Sequence, residues 1–178
     1  MTRRTEPMRE GDQDSGFECG EHALDHFFAR YALPNSLMGI GRTFVMRGDP
    51  TNGEALIQGF YTLSMASIAS KELTSVIKAR LPRYPMPVAL IGRLAISIQA
   101  QGQGLGGVLL VDALDRIAGV SEEVGCFGVI VDAKTPAAHG FYERYGFVAL
   151  SDSGWPRRMF MTVSTVRQAL NSYQSAQQ

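Results

Sequence analysis

One segment restricts the fold of this chain more than any other: Gln99-Ala100-Gln101-Gly102-Gln103-Gly104-Leu105-Gly106-Gly107, four glycines between an apolar run and a stretch of helical periodicity. Val88 to Ile98 reads as a buried strand. Gly104 to Val120 reads as a helix, with apolar residues at Leu110, Ala113, Leu114, Ile117 and Ala118. Cys126 to Val131 reads as a second buried strand, which makes a βαβ unit and requires part of the sheet to be parallel. Glycines at the mouth of such a unit let backbone N–H groups approach a ligand closely. With the helix dipole they form an anion site suited to a pyrophosphate; the alternative is a flexible turn with no ligand.

The remaining pattern supplies the rest of an α/β (α+β) architecture. Leu24, Phe27, Phe28, Tyr31 and Ala32 form the stripe of an amphipathic first helix, which Pro34-Asn35 is expected to end. Arg42 to Arg47 and Ala55 to Ser67 read as a β-hairpin joined by turn formers from Gly48 to Gly53. Lys71 to Arg80 carries helical periodicity at Leu73, Val76 and Ile77, and the three prolines between Leu81 and Pro87 demand an extended loop. Thr135 can cap a helix that begins at Pro136, carries the stripe Ala138, Phe141, Tyr142 and Tyr145, and stops at Gly146. Phe147 to Leu150 and Arg158 to Val163 read as a closing pair of strands.

At 178 residues, with 45% hydrophobic and 19% charged side chains, the chain is long enough for one domain with a core, and disorder and coiled coil are excluded. The domain is expected over residues 1–172, with 173–178 a frayed polar tail. No apolar run approaches the roughly 20 residues of a spanning helix, and residues 1–14 have no apolar core, so neither a membrane anchor nor a leader is read here. The two cysteines, Cys19 and Cys126, are too far apart for a CxxC site and too few for a disulfide framework, which fits a reducing cytoplasm.

Net charge is zero but unevenly spread. Residues 1–25 hold 3 basic and 7 acidic side chains, residues 26–100 hold 8 and 3, and residues 101–178 hold 6 and 7. Lys71, Lys78, Arg80, Arg83 and Arg93 form the densest basic stretch. Fourteen of the 17 basic residues are arginine, whose planar fork suits phosphate, although a GC-rich genome would give the same bias.

Two motif frames compete for the glycine turn. Gly102, Gly104 and Gly107 satisfy GxGxxG, and Asp132 stands where a ribose-binding acid could end the next strand. The first glycine comes late after the strand, however, and only 46 residues follow Asp132, too few for a second mononucleotide half. In the other frame, Gln101, Gly104 and Gly106 match [Q/R]-x-x-G-x-[G/A], and Phe141-Tyr142-Glu143-Arg144-Tyr145-Gly146-Phe147 matches FYxxxGF. In these motifs and in its order of elements the chain resembles the GNAT superfamily of N-acetyltransferases. That resemblance implies a mixed sheet of about six to seven strands with a splayed parallel pair, about four flanking helices, and acetyl-CoA as cosubstrate.

A narrower resemblance covers nearly the whole chain. The segments Phe17 to Phe28, Gly59 to Ser64, Leu81 to Pro85 and Gly92 to Ile96 are similar to the acetyltransferase toxins of type II toxin–antitoxin modules. This second resemblance implies acetylation of the α-amine of aminoacyl-tRNA, arrest of translation and a ribbon-helix-helix antitoxin as partner. A homodimer is the expected assembly. The neutral total charge departs from what an RNA-binding toxin usually carries.

Acetyl transfer from a thioester needs a neutral attacking amine, stabilisation of the oxyanion and a proton for the departing thiolate. An α-amine has an ordinary pKa of about 7.7 to 8.0 against about 10.4 for lysine, so no strong enzymatic base is required. Backbone N–H groups near Leu94, Ala95 and Ile96 would meet the oxyanion, as the resemblance implies. Gln101, Gly102, Gln103, Gly104, Leu105, Gly106 and Gly107 would hold the pyrophosphate. Tyr142 is the candidate proton donor, with packing on its helix stripe as the alternative. Lys71, Lys78, Arg80, Arg83 and Arg93 are the candidate tRNA contacts, and Ser64 could orient the amine. His22 and His26 lack a third ligand, so no metal is expected. His139 reads as a helix-surface residue. Trp155-Pro156 reads as a core plug or turn, with base stacking on Trp155 as the alternative. Two other functions remain open: acetylation of a small amine such as an antibiotic or polyamine, and noncatalytic sensing of acetyl-CoA or a nucleotide.

Overall fold

The computed structural model describes residues 4–176. Seven strands form one mixed sheet: β1 (Glu6–Pro7), β2 (Arg42–Arg47), β3 (Ile57–Ile68), β4 (Met86–Ile96), β5 (Gly128–Ala133), β6 (Val148–Ala149) and β7 (Arg157–Thr162). Their order is β1-β2-β3-β4-β5-β7-β6, and the expected parallel pair is β4 with β5. Five α-helices accompany it, α1 (His22–Arg30), α2 (Ala32–Met38), α3 (Leu105–Val120), α4 (Pro136–Arg144) and α5 (Val163–Ser175), one more than expected. By its internal contacts the chain divides into two compact units, Met1–Ser64 with Ile91–Leu114, and Met65–Leu90 with Asp115–Gln178.

In the first unit β2 pairs antiparallel with β1 and β3, and the register places Val45 opposite Phe60. The α1 stripe closes the core: Phe27 and Phe28 are buried with Phe17, Val45, Ile57, Phe60 and Ala95, and the Phe28 and Phe60 rings lie 4.9 Å apart. Pro34 does not end helical structure as expected. The chain breaks at Tyr31 and restarts as α2, where Pro34 falls in the first turn and its missing N–H has no helical partner to lose. The bulge end of β2 is tied to the segment that precedes α1. Arg47 donates from both terminal nitrogens to Asp12 at 2.8 and 2.9 Å, and its Nε donates to Glu6. Burial acts to raise the Asp12 carboxyl, but the hydrogen bonds from Arg47 and from the Arg9 N–H outweigh it and hold its pKa below the usual value.

α3 brings a charge into this core. Asp112, 1% exposed, sits on the helix between Leu109 and Ala113. Its carboxylate accepts from the Thr5 hydroxyl at 2.6 Å, the Tyr61 hydroxyl at 2.7 Å and the Arg4 N–H at 2.7 Å. One carboxylate thus joins α3, β3 and the segment before β1.

In the second unit β7 lies antiparallel between β5 and β6. Ile68, Leu73, Met86, Val88, Ile130 and Phe160 form its core. The helix expected over 71–80 is absent. Only Ser70–Leu73 makes a single tight 3-10 turn, because Thr74-Ser75-Val76-Ile77 is a run of weak helix formers; Leu73 reaches the core from that turn, and Val76 and Ile77 from the irregular chain after it. Nor does the chain fray after residue 172. Thr162 caps α5 by accepting from the Thr165 N–H at 3.1 Å, and with Val163 and Val166 buried the helix runs to Ser175; residues 177 and 178 of the expected tail lie outside the described ones.

Replacing Asp112 by Ala would leave two buried hydroxyls and an N–H without their acceptor, so a loss of about 3 kcal/mol is expected. In a chain of this size that corresponds to a thermal midpoint lower by roughly 6 to 12 °C. Calorimetry showing a shift under about 2 °C would remove this network from the forces that hold α3.

Candidate active site

The first unit carries the glycine turn. β4 ends at Ile96, a short 3-10 turn covers Ile98–Ala100, and α3 begins at Leu105. Gly102 and Gly104 adopt φ of +79° and +75°, where a side chain would be strained. Nothing lies within 4 Å of a Cβ built on either, so the conformation rather than crowding demands glycine. The first helical return bond runs from the Val108 N–H to the Gly104 carbonyl. Helix geometry therefore leaves the N–H groups of Leu105, Gly106 and Gly107 free of intrahelical partners, which is the arrangement an anion needs.

Gln101 works differently from its glycine neighbours. Its side-chain amide donates to the Ile96 carbonyl at 3.0 Å and the Cys19 carbonyl at 2.8 Å, so it staples the turn to the end of β4 and to the segment before α1. Beyond it Gly102 and Gln103 are exposed, whereas Gly107 is buried. Of the three β4 residues expected at the oxyanion, Ala95 is buried and Leu94 and Ile96 are half-buried. Ser97 and Ile98 then bond to the Gln58 and Glu18 carbonyls at 2.8 and 2.9 Å and fix where the strand ends.

One residue that holds this site was not singled out by sequence reasoning. A Cβ on Gly59, in β3, would lie 2.8 Å from the Ala95 carbonyl oxygen, 2.8 Å from the Ile96 side chain and 2.9 Å from the Leu109 side chain. Gly59 lets β3, the end of β4 and the first turns of α3 approach one another. Its signal was available: an isolated glycine inside a strand pattern marks such an approach.

The second unit carries Tyr142. The Thr135 hydroxyl accepts from the Ala138 N–H at 3.2 Å and Pro136 starts α4, as the sequence implies. Gly146, at φ +96°, reverses the chain so that the Phe147 N–H reaches the Tyr142 carbonyl at 3.2 Å. The Phe147 ring, 1% exposed, meets the Tyr142 ring edge-on at 5.6 Å. Thus the glycine and its aromatic neighbour in FYxxxGF act together to orient one phenol. Burial, with a smaller contribution from the Asp132 charge, pushes the Tyr142 pKa up to about 12. The phenol keeps its proton at neutral pH and can donate it. Asp132 itself is held by Arg158 on the neighbouring strand, at 2.9 and 3.1 Å, which is a structural pairing and not a ribose site left open.

The basic candidates divide between the units. Lys71, Lys78, Arg80 and Arg83 are in the second unit, and Lys71 and Arg83 line one pocket of about 330 Å³ with Ala69, Ser70 and Pro85. Arg93 belongs to the first unit, its guanidinium 3.6 Å from the centroid of Phe27, and burial lowers its pKa. Ser64, half-buried on β3, is also in the first unit. The division gives the charge map a meaning that the total hides. The first unit holds 7 basic and 10 acidic side chains, a net of −3, and the second holds 10 and 7, a net of +3.

Comparison with known proteins comes down on one side of the two motif frames. A family model described as an acetyltransferase (GNAT) domain matches residues 43–157. The tRNA-acetylating toxin of Mycobacterium tuberculosis is 33% identical over 149 residues, 83% of this chain and 86% of that protein. The probable toxin TacT of Sinorhizobium fredii is 32% identical over 174 residues, 93% of each. Among solved structures, AtaTR bound with AcCoA superposes with a TM-score of 0.76 at 27% identity, covering 93% of this chain and 96% of that one.

Gly59→Ala should force the β4 end and α3 apart, because one of the opposing atoms is backbone and cannot rotate away. Overpacking of this kind costs about 1 to 3 kcal/mol. Denaturant unfolding should show that loss, and acetyl-CoA affinity measured by calorimetry on the folded fraction should fall with it; a variant with unchanged stability and affinity would mean that Gly59 positions nothing.

Proposed function

This chain belongs to the GNAT family of N-acetyltransferases, and from that premise we propose that it acetylates the α-amine of an aminoacyl-tRNA, with acetyl-CoA as donor, and so blocks translation. The observation that carries the substrate reading is the charge partition: the unit that holds Tyr142 also holds Lys71, Lys78, Arg80 and Arg83, and the neutral chain concentrates its positive excess there. A phosphate backbone is the ligand such a surface attracts.

Each group then has a task. The glycine turn takes the pyrophosphate on N–H groups of residues 102–107, with Gln101 holding the turn in place. The end of β4, Leu94 to Ile96, offers backbone N–H groups to the oxyanion. The amine attacks the thioester carbonyl and loses a proton to solvent, the C–S bond breaks, and Tyr142 supplies a proton to the leaving sulfur. Since an α-amine, with an ordinary pKa of about 8 that the adjacent ester lowers further, has a substantial neutral fraction near neutral pH, the site needs no strong base. Arg93 and Ser64 complete the proposed substrate contacts from the first unit. We place the protein in the cytoplasm as a homodimer, the two units acting as one acetyltransferase domain, with a ribbon-helix-helix antitoxin as its partner. Among the described residues no helix is long and apolar enough to cross a membrane. Small cationic amines would favour a net-acidic unit around the phenol, whereas the second unit carries a net charge of +3.

Two variants test this. Tyr142→Phe should bind acetyl-CoA as the wild type does and lose about 10²- to 10⁴-fold in turnover, the range of a general acid; turnover within about threefold of wild type would make Tyr142 a packing residue. Lys78→Glu with Arg83→Glu should abolish acetylation of aminoacyl-tRNA and leave slow acetylation of a free amino-acid ester intact. Undiminished activity on tRNA would sink the docking face.

A further inference from the structure

Of the two readings of Trp155-Pro156, core plug or turn, the structure shows the turn: 43% of Trp155 is exposed. It is the chain's one tryptophan and lies on the loop between β6 and β7. Two neighbours fix the ring without covering it. The Arg157 guanidinium stands 4.3 Å from the ring centroid, and the His139 ring meets the indole edge-on at 6.2 Å and 88°. His139 lies on α4 one turn before Tyr142, and its Nδ1 is 3.7 Å from Glu143. With a guanidinium near its face and an imidazole at its edge, the half-exposed indole beside the phenol's helix keeps a π surface open to a planar partner.

We propose that Trp155 is a stacking platform for the terminal nucleobase of the aminoacyl acceptor, an inference that rests on the aminoacyl-tRNA reading above. In that substrate the reacting amine and the last adenine are carried by the same ribose. An enzyme that holds the amine for transfer must therefore seat the adenine within a nucleotide's length of it. Every base offers a π face, and stacking on an aromatic side chain contributes about 1 to 3 kcal/mol. Arg157 adds a cation against the ring and a charge for the adjoining phosphate. A free small amine has no base to stack, so the platform also separates aminoacyl-tRNA from such competitors.

Because the chain has a single tryptophan, its indole emission reports this residue alone. Titration with the trinucleotide CCA should quench that emission in the wild type, and acetyl-CoA by itself should not. Trp155→Ala should lower kcat/KM for aminoacyl-tRNA by about 5- to 150-fold while leaving kcat/KM for an amino-acid methyl ester within about twofold, and Trp155→Phe should recover most of the loss. Equal activity of Trp155→Ala and wild type on aminoacyl-tRNA overturns the proposal. So does an equal loss on both acceptors in both variants, which would make the residue structural, and so does quenching by acetyl-CoA alone, which would assign the ring to the cofactor's adenine. A wild type that acetylates the ester and no aminoacyl-tRNA instead refutes the substrate reading on which the inference rests.

Discussion

A single buried carboxylate fixes the helix that follows the glycine turn. Asp112 stands on the face of α3 that packs inward, where an apolar residue would be expected, and gathers hydrogen bonds from Thr5, Tyr61 and the Arg4 N–H. A carboxyl group at 1% exposure without hydrogen-bond partners would be costly to bury, so its partners are a condition of the fold. These bonds are directional where the surrounding contacts of Leu109, Leu110 and Ala113 are not. They set the rotation and axial position of α3, and with Gly59 they determine where its first N–H groups stand. The glycine turn is permissive by itself; what makes it a site is the helix behind it being held in one place.

How much of the structure was legible in the sequence depends on how local each cause is. The hairpin, the βαβ unit, the Thr135 cap and the Gly146 stop depend on neighbours within a few residues, and all four stand in the structure. The mistaken helix over 71–80 shows the opposite case. Its periodicity at Leu73, Val76 and Ile77 was real and all three residues reach the core, but a tight turn followed by irregular chain buries the same spacing. α5 was legible and overlooked: Thr162, Val163 and Val166 give a cap and the start of a stripe. The Asp112 network and the double staple of Gln101 could not be read, because their partners are 51 to 108 and 5 to 82 residues away. The Gln101 side-chain amide donates to two of the protein's own carbonyls, so beside the expected cofactor contact it also shapes the turn.

Total charge was the least informative quantity and its spatial division the most. Zero net charge argues against strong nonspecific attraction to nucleic acid, but the acidic residues before β2 all lie in the first unit, where Asp12 and Glu6 hold Arg47. The second unit keeps Lys71, Lys78, Arg80 and Arg83 outside any ion pair with a described residue. Cations spent on no internal ion pair remain available to a polyanion at no cost to the fold. Screening confines their field to about 8 to 10 Å at physiological salt, so what a ligand meets is this local excess and not the molecular sum.

The chemistry of Tyr142 and the choice of substrate constrain each other. A phenol pushed up to about 12 is a weak acid facing a thiolate whose ordinary pKa is near 8.5, so full proton transfer early in the reaction is uphill. In the proposed reaction its contribution would come as negative charge develops on sulfur, when a protonated donor held against Phe147 stabilises the leaving group. Such a donor helps departure and does nothing to activate the nucleophile. A lysine side chain, about 10.4 in water, would arrive almost wholly protonated and would need a base, and the nearest carboxylate to influence the phenol, Asp132, is committed to Arg158. An α-amine next to an ester carbonyl arrives with a far larger neutral fraction. A donor that only assists departure therefore fits the proposed acceptor, an α-amine, by an argument that uses no charge map at all.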